Sequence, residues 1–188
     1  MNKYPGDLLS DIELLKDLAD ASDEISMARY SAQDLVIETK PDATPVTDAD
    51  RSVEEKIREI IQRERKTDLV IGEEFGRPDS IPKDSRYWII DPIDGTKNFL
   101  RGVPIWASLI GLAYRDSRGD DAIIAGMVSA PALFRRWYAA TGFGAFTEVA
   151  GGPSVQIKVS SVKALTDASL SFSDRKSTRL NSSHSSVS

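Results

Sequence analysis

The 188-residue chain contains no cysteine, and its single histidine is His184. A chain without cysteine cannot form a disulfide framework or a thiolate metal site. No stretch approaches the ~18 consecutive apolar residues that a membrane-spanning helix needs. Residues 1–7 also lack the apolar core of a secretion signal. These absences predict a cytoplasmic protein that has no membrane partner.

Basic residues are also in short supply. The sequence has 24 Lys and Arg against 29 Asp and Glu, which gives a formal net charge of −5. Nucleic-acid backbones are bound by clustered Lys and Arg, so nucleic acid is not an expected partner. A small anionic substrate would need bound cations to reach this acidic surface. The length and the 40% hydrophobic content predict one domain with a sizeable core.

The composition changes abruptly after Asp174. Residues 175–188 are rich in Ser and polar residues and have no apolar period, so they cannot add to a core. They resemble the product of translating a sequencing adapter. We therefore predict a partial domain at residues 1–174 and a non-native, disordered tail at residues 175–188. Because His184 lies in that tail, nucleophilic schemes that depend on histidine are excluded.

Hydrophobic spacing predicts an α+β fold. Apolar residues recur every three or four positions from Leu8 to Met27, and again from Asp50 to about Lys66, which predicts two amphipathic helices. In the second helix, the polar face is predicted to include Glu54, Glu55, Lys56 and Arg58. Short β-favouring runs predict strands at residues 35–39, 69–71, 87–90, 107–114, 122–130, 136–140, 145–149 and 155–159. We expect a mixed or antiparallel sheet flanked by helices, with a hairpin formed by residues 107–114 and 122–130.

Two of the predicted strands are followed at once by carboxylates. Asp91 and Asp94 come after one apolar run, and Glu73 comes after another. The Asp-Pro and Asp-Gly pairs predict a turn after residue 90, and alone they are as typical of an ordinary loop as of a functional site. Carboxylates and a turn carbonyl such as that of Ile93 are oxygen ligands that suit Mg²⁺. A helix that begins near Thr96 would offer free N–H groups to a phosphate.

A third acidic segment, residues 47–50, opens the second helix. Asp is a common helix cap, so capping is the preferred role for at least one of Asp48 and Asp50. The alternative is that Asp50 and the neighbouring Thr47 belong to the same acidic site.

Taken together, the three segments carry a family resemblance. Val46-Thr47-Asp48-Ala49-Asp50, Gly72-Glu73-Glu74 and Asp91-Pro92-Ile93-Asp94-Gly95-Thr96, in this order, resemble the inositol monophosphatase superfamily of Mg²⁺-dependent phosphomonoesterases. Residues 94–99, 101–107 and 129–137 are similar to the histidinol-phosphatase branch found in actinobacteria. The resemblance covers residues 7–174 and implies the N-terminal portion of a layered α/β sandwich. The superfamily's later Trp-Asp motif is not present.

The resemblance implies a role for each residue of the motifs. Glu73, Asp91 and the Ile93 carbonyl would hold one Mg²⁺, Asp91 and Asp94 a second, and Asp50 with Thr47 a water or a weaker third ion. Glu73 and Thr96 would orient the attacking water. The amides of Gly95 and Thr96 would bind the phosphate. By their position after this loop, Lys97, Asn98, Arg101 and Trp106 are candidates to meet the organic part of the substrate. Each has a structural alternative, which for Trp106, at a strand start, is a place in the core. Lys40 corresponds to a loop lysine near the metals, and a solvated loop lysine is the equally supported alternative.

The implied activity is hydrolysis of a small phosphorylated metabolite, histidinol phosphate in histidine biosynthesis. Inositol 1-phosphate or a related sugar phosphate is the alternative substrate. An inactive, truncated metal-binding module is the alternative of another class. The missing Trp-Asp motif supplies a further carboxylate to the second metal in the family, so the fragment itself is expected to be weakly active or inactive. Whether the full-length parent forms a homodimer is not decided by the sequence.

Overall fold

The computed structural model describes residues 4–39 and 45–169. The described part of the unit that runs from Met1 to Lys158 contains three α-helices: α1 (Leu8–Arg29), α2 (Asp48–Glu64) and the short α3 (Thr96–Leu100). Asp7 caps α1 by accepting a 3.1 Å hydrogen bond from the Leu9 amide. A single 3₁₀ turn, Pro131–Leu133, lies between two strands. Both predicted amphipathic helices are therefore present.

Nine strands are described in this unit. They are β1 (Ile37–Thr39), β2 (Pro45–Thr47), β3 (Leu69–Gly72), β4 (Ser85–Asp94), β5 (Ala107–Arg115), β6 (Asp121–Ala130), β7 (Arg135–Ala140), β8 (Gly144–Val149) and β9 (Val155–Ile157). Strands β1 and β2 form a two-stranded antiparallel ribbon, and the other seven form one sheet in the sequence order β3 to β9. Strands β3 and β4 pair in parallel, and all later neighbours pair antiparallel. The predicted mixed sheet and the β5–β6 hairpin are confirmed.

Helices α1 and α2 cover one face of the seven-stranded sheet. Alternate residues of each strand point to this face, as the two-residue period of a strand requires. Trp88 and Ile90 of β4 and Leu112 of β5 join Leu15 and Leu18 of α1 in one buried cluster. This cluster is the main hydrophobic core and fixes both helices against the sheet.

The opposite face of the sheet is less covered in the part of the chain that the structure describes. Strand pairing aligns Ile89 with Gly111 and Asp91 with Leu109 on that face. Ile89 is 37% exposed and Ile123 is 61% exposed. This face therefore carries exposed apolar side chains.

The observed ends of several elements differ from the predicted ones. Strand β1 begins at Ile37 rather than at Leu35, because Leu35 packs against a second small core around Phe99. Helix α2 begins two residues early, at Asp48, because the Thr47 hydroxyl caps it. It ends at Glu64, slightly before the predicted end. Strand β9 stops at Ile157. Lys40 and residues 175–188 lie outside the described residues.

A second unit begins at Val159. Its described part, residues 159–169, contains a 3₁₀ turn at Leu165–Asp167. Across the described ranges of the whole chain, no helix combines the length and the apolarity that crossing a membrane demands.

A buried acid joins α1 to the rest of the core. Asp11 is fully buried, and its Oδ1 accepts hydrogen bonds from Arg65 at 3.2 Å and from Arg86 at 2.7 Å. Arg86 also pairs with Asp68, whose Oδ2 accepts a 3.0 Å bond from the Trp88 indole. This network ties the start of α1 to the end of α2 and to β4.

Replacing Asp11 by Asn should lower the free energy of unfolding by about 3 kcal/mol, since Arg65 and Arg86 would lose their shared counter-charge. Urea denaturation of the purified chain measures this change. Asp17→Asn makes the same substitution at an exposed position of the same helix and should have little effect. Equal effects of the two substitutions would show that the Asp11 network does not stabilise the fold.

Candidate active site

The parallel pair β3–β4 brings two acidic segments together. Gly72 lies opposite Ile90 in the pairing register, so the residue after each, Glu73 and Asp91, also lies side by side. The Glu73 amide donates a 3.2 Å hydrogen bond to the Ile90 carbonyl, which fixes the backbone at this point. The carboxylates of Glu73 and Asp91 are thus neighbours although they are 18 residues apart in sequence.

Asp91 lies in a strongly acidic environment. Burial, the Glu73 carboxylate, and the charges of Asp94 and Asp50 together raise the pKa of Asp91 from 3.8 to about 8. Burial is the largest of these causes, since it penalises the charged form of the carboxyl group. The same crowding that favours a proton on Asp91 would also favour a divalent cation beside it.

The end of β4 is a bulge rather than the predicted turn. Asp91 pairs with Leu109 and Asp94 pairs with Ala107, so β4 contains one residue more than β5 over this interval. Proline has no N–H to donate to the hydrogen-bond ladder of a sheet. Pro92 is tolerated because it lies in the bulge, where the ladder is interrupted. The turn predicted at the Asp-Pro pair is therefore wrong, whereas the turn predicted at the Asp-Gly pair is present. The turn comes at Gly95, which has a φ of +92°.

The bulge is held from the core side by serine hydroxyls. Ser108 donates a 2.7 Å hydrogen bond to the Pro92 carbonyl, and its hydroxyl lies 2.5 Å from that of Ser22 on α1. Ser26, one helical turn later, donates to the Ser22 carbonyl. All three serines are buried. Helix α1 therefore supports the acidic loop through Ser22.

Asp50 belongs both to a helix cap and to the site. Its Oδ2 accepts hydrogen bonds from the Thr47 amide and hydroxyl, at 2.8 and 2.5 Å, which completes a capping box with Thr47 as the N-cap. The Thr96 hydroxyl lies 3.1 Å from the Ile93 carbonyl and 3.5 Å from Asp50 Oδ1. A hydroxyl has one proton to donate, so the shorter contact, to Ile93, is the better bond. Thr47, Asp50, Ile93 and Thr96 are thereby brought together.

Gly95 shapes the start of α3. Besides its positive φ, an added Cβ would lie 3.1 Å from the Ile105 carbonyl, so both the backbone conformation and the space favour glycine. Gly95 precedes Thr96, the first residue of α3. The two residues predicted to bind phosphate through their amides therefore lie at the turn directly after Asp94.

The residues predicted to meet the organic part of the substrate differ in their surroundings. Lys97 and Arg101 are exposed. The Asn98 side chain donates a 2.7 Å hydrogen bond to the Ile105 carbonyl, which closes the loop after α3. Trp106 is buried and packs edge-on against Phe99, as its core interpretation predicted. Asn98 and Trp106 therefore have structural roles, while Lys97 remains available at the surface.

The acidic groups around Asp91 offer oxygen ligands to a divalent cation. Asp91 Oδ1 is buried and accepts no hydrogen bond, so this proposed ligand oxygen lacks the partner that a buried polar atom normally has. Within the described ranges, no three acidic, imidazole or thiol side chains stand ready as a cage for a metal ion. The Ile93 carbonyl adds a non-acidic oxygen to the neighbouring carboxylates of Glu73 and Asp91. The donor set suits a hard cation, provided that the side chains draw together.

Comparison with known proteins assigns this arrangement to a family. Residues 7–186 match the model of the inositol monophosphatase family. The chain belongs to that family. The resemblance seen in the three motifs is confirmed, and with it the α+β fold.

Curated relatives of the inositol monophosphatase family give a finer comparison. A histidinol-phosphatase of Mycobacterium tuberculosis is 55% identical over 163 residues, which cover 87% of this chain and 60% of the relative. A histidinol-phosphatase of Streptomyces coelicolor is 49% identical over 167 residues, which cover 89% and 61%. The chain thus spans about three-fifths of the length of these relatives.

A solved structure shares the fold. The IMPase of Thermotoga maritima superimposes with a TM-score of 0.64 at 30% identity, over 82% of this chain and 54% of that one. The mixed sheet with helices against it is therefore the family's architecture, present here over about half of the neighbour's length.

Sequence reasoning missed one buried acid beside the site. Glu54 was predicted to face solvent, but it is fully buried and its carboxylate contacts the segment after β3. Its position carried a signal, since it follows Val53 and precedes Ile57 by three residues. Residues at this spacing share the core-facing stripe of α2. An acid on an apolar stripe indicates a partner inside the fold.

The raised pKa of Asp91 predicts how stability depends on pH without Mg²⁺. Between the unfolded pKa of 3.8 and the folded pKa of about 8, Asp91 is protonated in the folded chain and ionised in the unfolded chain. This stabilisation is fully present below the lower value and is lost as the pH rises through the upper one. The contribution of Asp91 to the melting temperature should therefore fall from about pH 4 to about pH 8 and level off above that range.

Asp91→Asn removes the titrating group and should flatten this part of the profile. Differential scanning calorimetry at several pH values measures the slope. Asp79→Asn, at an exposed position of the loop between β3 and β4, should keep the slope of the unmodified chain. Parallel profiles for all three proteins would show that Asp91 does not take up the proton.

Proposed function

We propose that this chain carries the principal metal and phosphate ligands of a Mg²⁺-dependent phosphomonoesterase that hydrolyses histidinol phosphate. The observation that supports it most directly is the adjacency of Glu73 and Asp91 across the parallel pair β3–β4, with Asp94 and Asp50 within electrostatic reach. Two of the most similar relatives are named histidinol-phosphatase, which favours this substrate over inositol 1-phosphate or another sugar phosphate.

The proposed ligand set centres on Asp91. Glu73, Asp91 and the Ile93 carbonyl would hold one Mg²⁺, and Asp91 and Asp94 a second. Asp50 would stand beside a weaker third site, next to Thr47. Bound Mg²⁺ supplies neutralisation of the phosphate charge and activation of the attacking water.

The remaining chemistry is assigned to the chain's own groups. Glu73 and Thr96 would orient the water for attack at phosphorus, with the Glu73 carboxylate accepting a hydrogen bond from it. The water oxygen would form a bond to phosphorus as the ester P–O bond breaks, and the proton lost by the water would go to the leaving alcohol oxygen. The Gly95 and Thr96 amides would hold the phosphate oxygens. Lys97, exposed after this turn, would meet the organic part of the substrate, whereas Asn98 is held by the Ile105 carbonyl.

Added Mg²⁺ should raise the melting temperature of this chain, since a ligand that binds only the folded state stabilises it. At 100 times its dissociation constant, the gain is about 2.7 kcal/mol. Asp94→Asn should reduce the shift because it removes one proposed ligand, and Asp79→Asn should leave it intact. Coincident melting curves with and without Mg²⁺ would mean that the described segments do not assemble the site.

Phosphate release tests the activity itself. Histidinol phosphate and inositol 1-phosphate should be compared side by side as substrates. The assay should use this chain and also a longer protein in which this chain is extended to the full length of the relatives. We expect histidinol phosphate to be the better substrate and Asp91→Asn to lower kcat/KM by about a thousandfold or more, equivalent to a loss of roughly 4 kcal/mol.

The alternatives give different outcomes in the same assay. Preference for inositol 1-phosphate would identify the other phosphatase activity. Mg²⁺ binding without turnover in the longer protein would favour a non-catalytic metal-binding module. Asp79→Asn is the matched control, because it removes an exposed carboxylate from the same region without touching the acidic cluster.

A further inference from the structure

Glu54 is a buried acid that has no place in the ligand set above. It lies on α2, one helical turn after Asp50, and its side chain is fully buried. Burying a carboxylate costs free energy unless hydrogen-bond donors surround it. The donors around Glu54 identify what this residue does.

Two of these donors are backbone amides of the turn that carries Glu73. Glu54 Oε2 accepts a 2.7 Å hydrogen bond from the Glu74 amide, and Oε1 accepts a 3.2 Å bond from the Phe75 amide. Hydrogen bonds to an ionic acceptor are shorter and stronger than those between neutral groups. The two residues directly after Glu73 are thus anchored to the core by one side chain.

Arg58 holds the same turn by donating hydrogen bonds to backbone carbonyls of the turn and of β3. Its Nε donates a 2.8 Å hydrogen bond to Glu54 Oε1, and its Nη2 donates a 2.9 Å bond to the Gly76 carbonyl. A weaker 3.4 Å contact reaches the Val70 carbonyl on β3. Glu54 and Arg58 therefore bind backbone groups on both sides of Glu73.

Gly72 shows how closely this anchor approaches β3. A Cβ at this position would lie 1.7 Å from Glu54 Oε1, a distance that atoms cannot adopt. The backbone of Gly72 does not have a positive φ, so the missing side chain matters for space alone. Glycine at residue 72 is thus required by the carboxylate of Glu54.

We propose that Glu54 is a positioning residue that, together with Arg58, fixes the Glu73 carboxylate beside Asp91 and so sets the affinity of the site for divalent cations. This inference rests on the proposed function. The Gly72 amide closes the turn with a 2.9 Å hydrogen bond to the Gly76 carbonyl, and Glu54 and Arg58 hold it from the core side. Without the anchor, the turn would sample positions in which Glu73 lies away from Asp91.

Glu54→Gln tests the anchor with almost no change in size. An amide has one oxygen acceptor and one NH₂ donor, so in either orientation an N–H of Glu74 or of Arg58 would face another donor. Supporting residues of metal sites change affinity by about 10- to 100-fold when altered. We therefore expect the dissociation constant for Mn²⁺ to rise at least about tenfold, measured from the loss of the free-ion electron paramagnetic resonance signal.

Glu55→Gln is the matched control, because it makes the same substitution at the next, exposed residue of α2. Its Mn²⁺ affinity should equal that of the unmodified chain. All titrations are made at a temperature at which circular dichroism shows each variant to be folded. A purely structural role for Glu54 would lower the melting temperature and leave the affinity of the folded variant unchanged, which would overturn the proposal.

Arg58→Lys decides the question if Glu54→Gln does not fold. Lysine retains the positive charge but cannot, as the guanidinium does, bind Glu54 and the Gly76 carbonyl at the same time. Because residue 58 is partly exposed, the variant should fold. We expect a several-fold weaker Mn²⁺ affinity, and an unchanged value would overturn the proposal.

The result also separates this inference from the function on which it rests. If the unmodified chain binds no Mn²⁺, the metal site itself is wrong and both proposals fall. If the unmodified chain and folded Glu54→Gln bind Mn²⁺ equally, only the positioning role is wrong.

Discussion

The site depends on the parallel pairing of β3 and β4. Parallel neighbours end at the same edge of a sheet, so the residues after Gly72 and Ile90 meet there. Antiparallel pairing would have placed Glu73 at the far end of β4, near Ser85. Among the described strands of the seven-stranded sheet, all other neighbours are antiparallel. The fold therefore departs from its prevailing pattern where the acidic segments must converge.

Buried polar groups support both acidic segments from the helical layer. Glu54 on α2 binds the turn after β3, and Ser22 on α1 reaches the β4 bulge through Ser108. Such groups are costly inside a core unless they are paired. Here Glu54 binds backbone amides next to the site directly, and Ser22 reaches the Pro92 carbonyl through the Ser108 hydroxyl. The two helices consequently do more than cover the sheet, because each also holds one ligand-bearing loop.

Much of this architecture could be predicted from the sequence. The spacing of Leu15, Leu18, Val53 and Ile57 predicted both helices, and the motifs around Glu73 and Asp91 predicted which residues would meet. The β4 bulge could not be predicted, because an Asp-Pro pair is also typical of a turn and only pairing with β5 distinguishes the two. The role of Glu54 required knowledge of what lies across the core, since helical spacing places an acid on a stripe but does not identify its donors.

The first turn of α2 belongs to two structures at once. Asp50 closes the capping box with Thr47 and also lies within reach of Thr96 and Asp91. Fraying of this helix end would alter the electrostatic potential at Asp91, and charge placed near Asp91 would act back on the stability of the helix end. Local helix opening and occupancy of the acidic cluster are consequently linked equilibria, so hydrogen exchange at the Asp50 amide should respond to whatever the cluster holds.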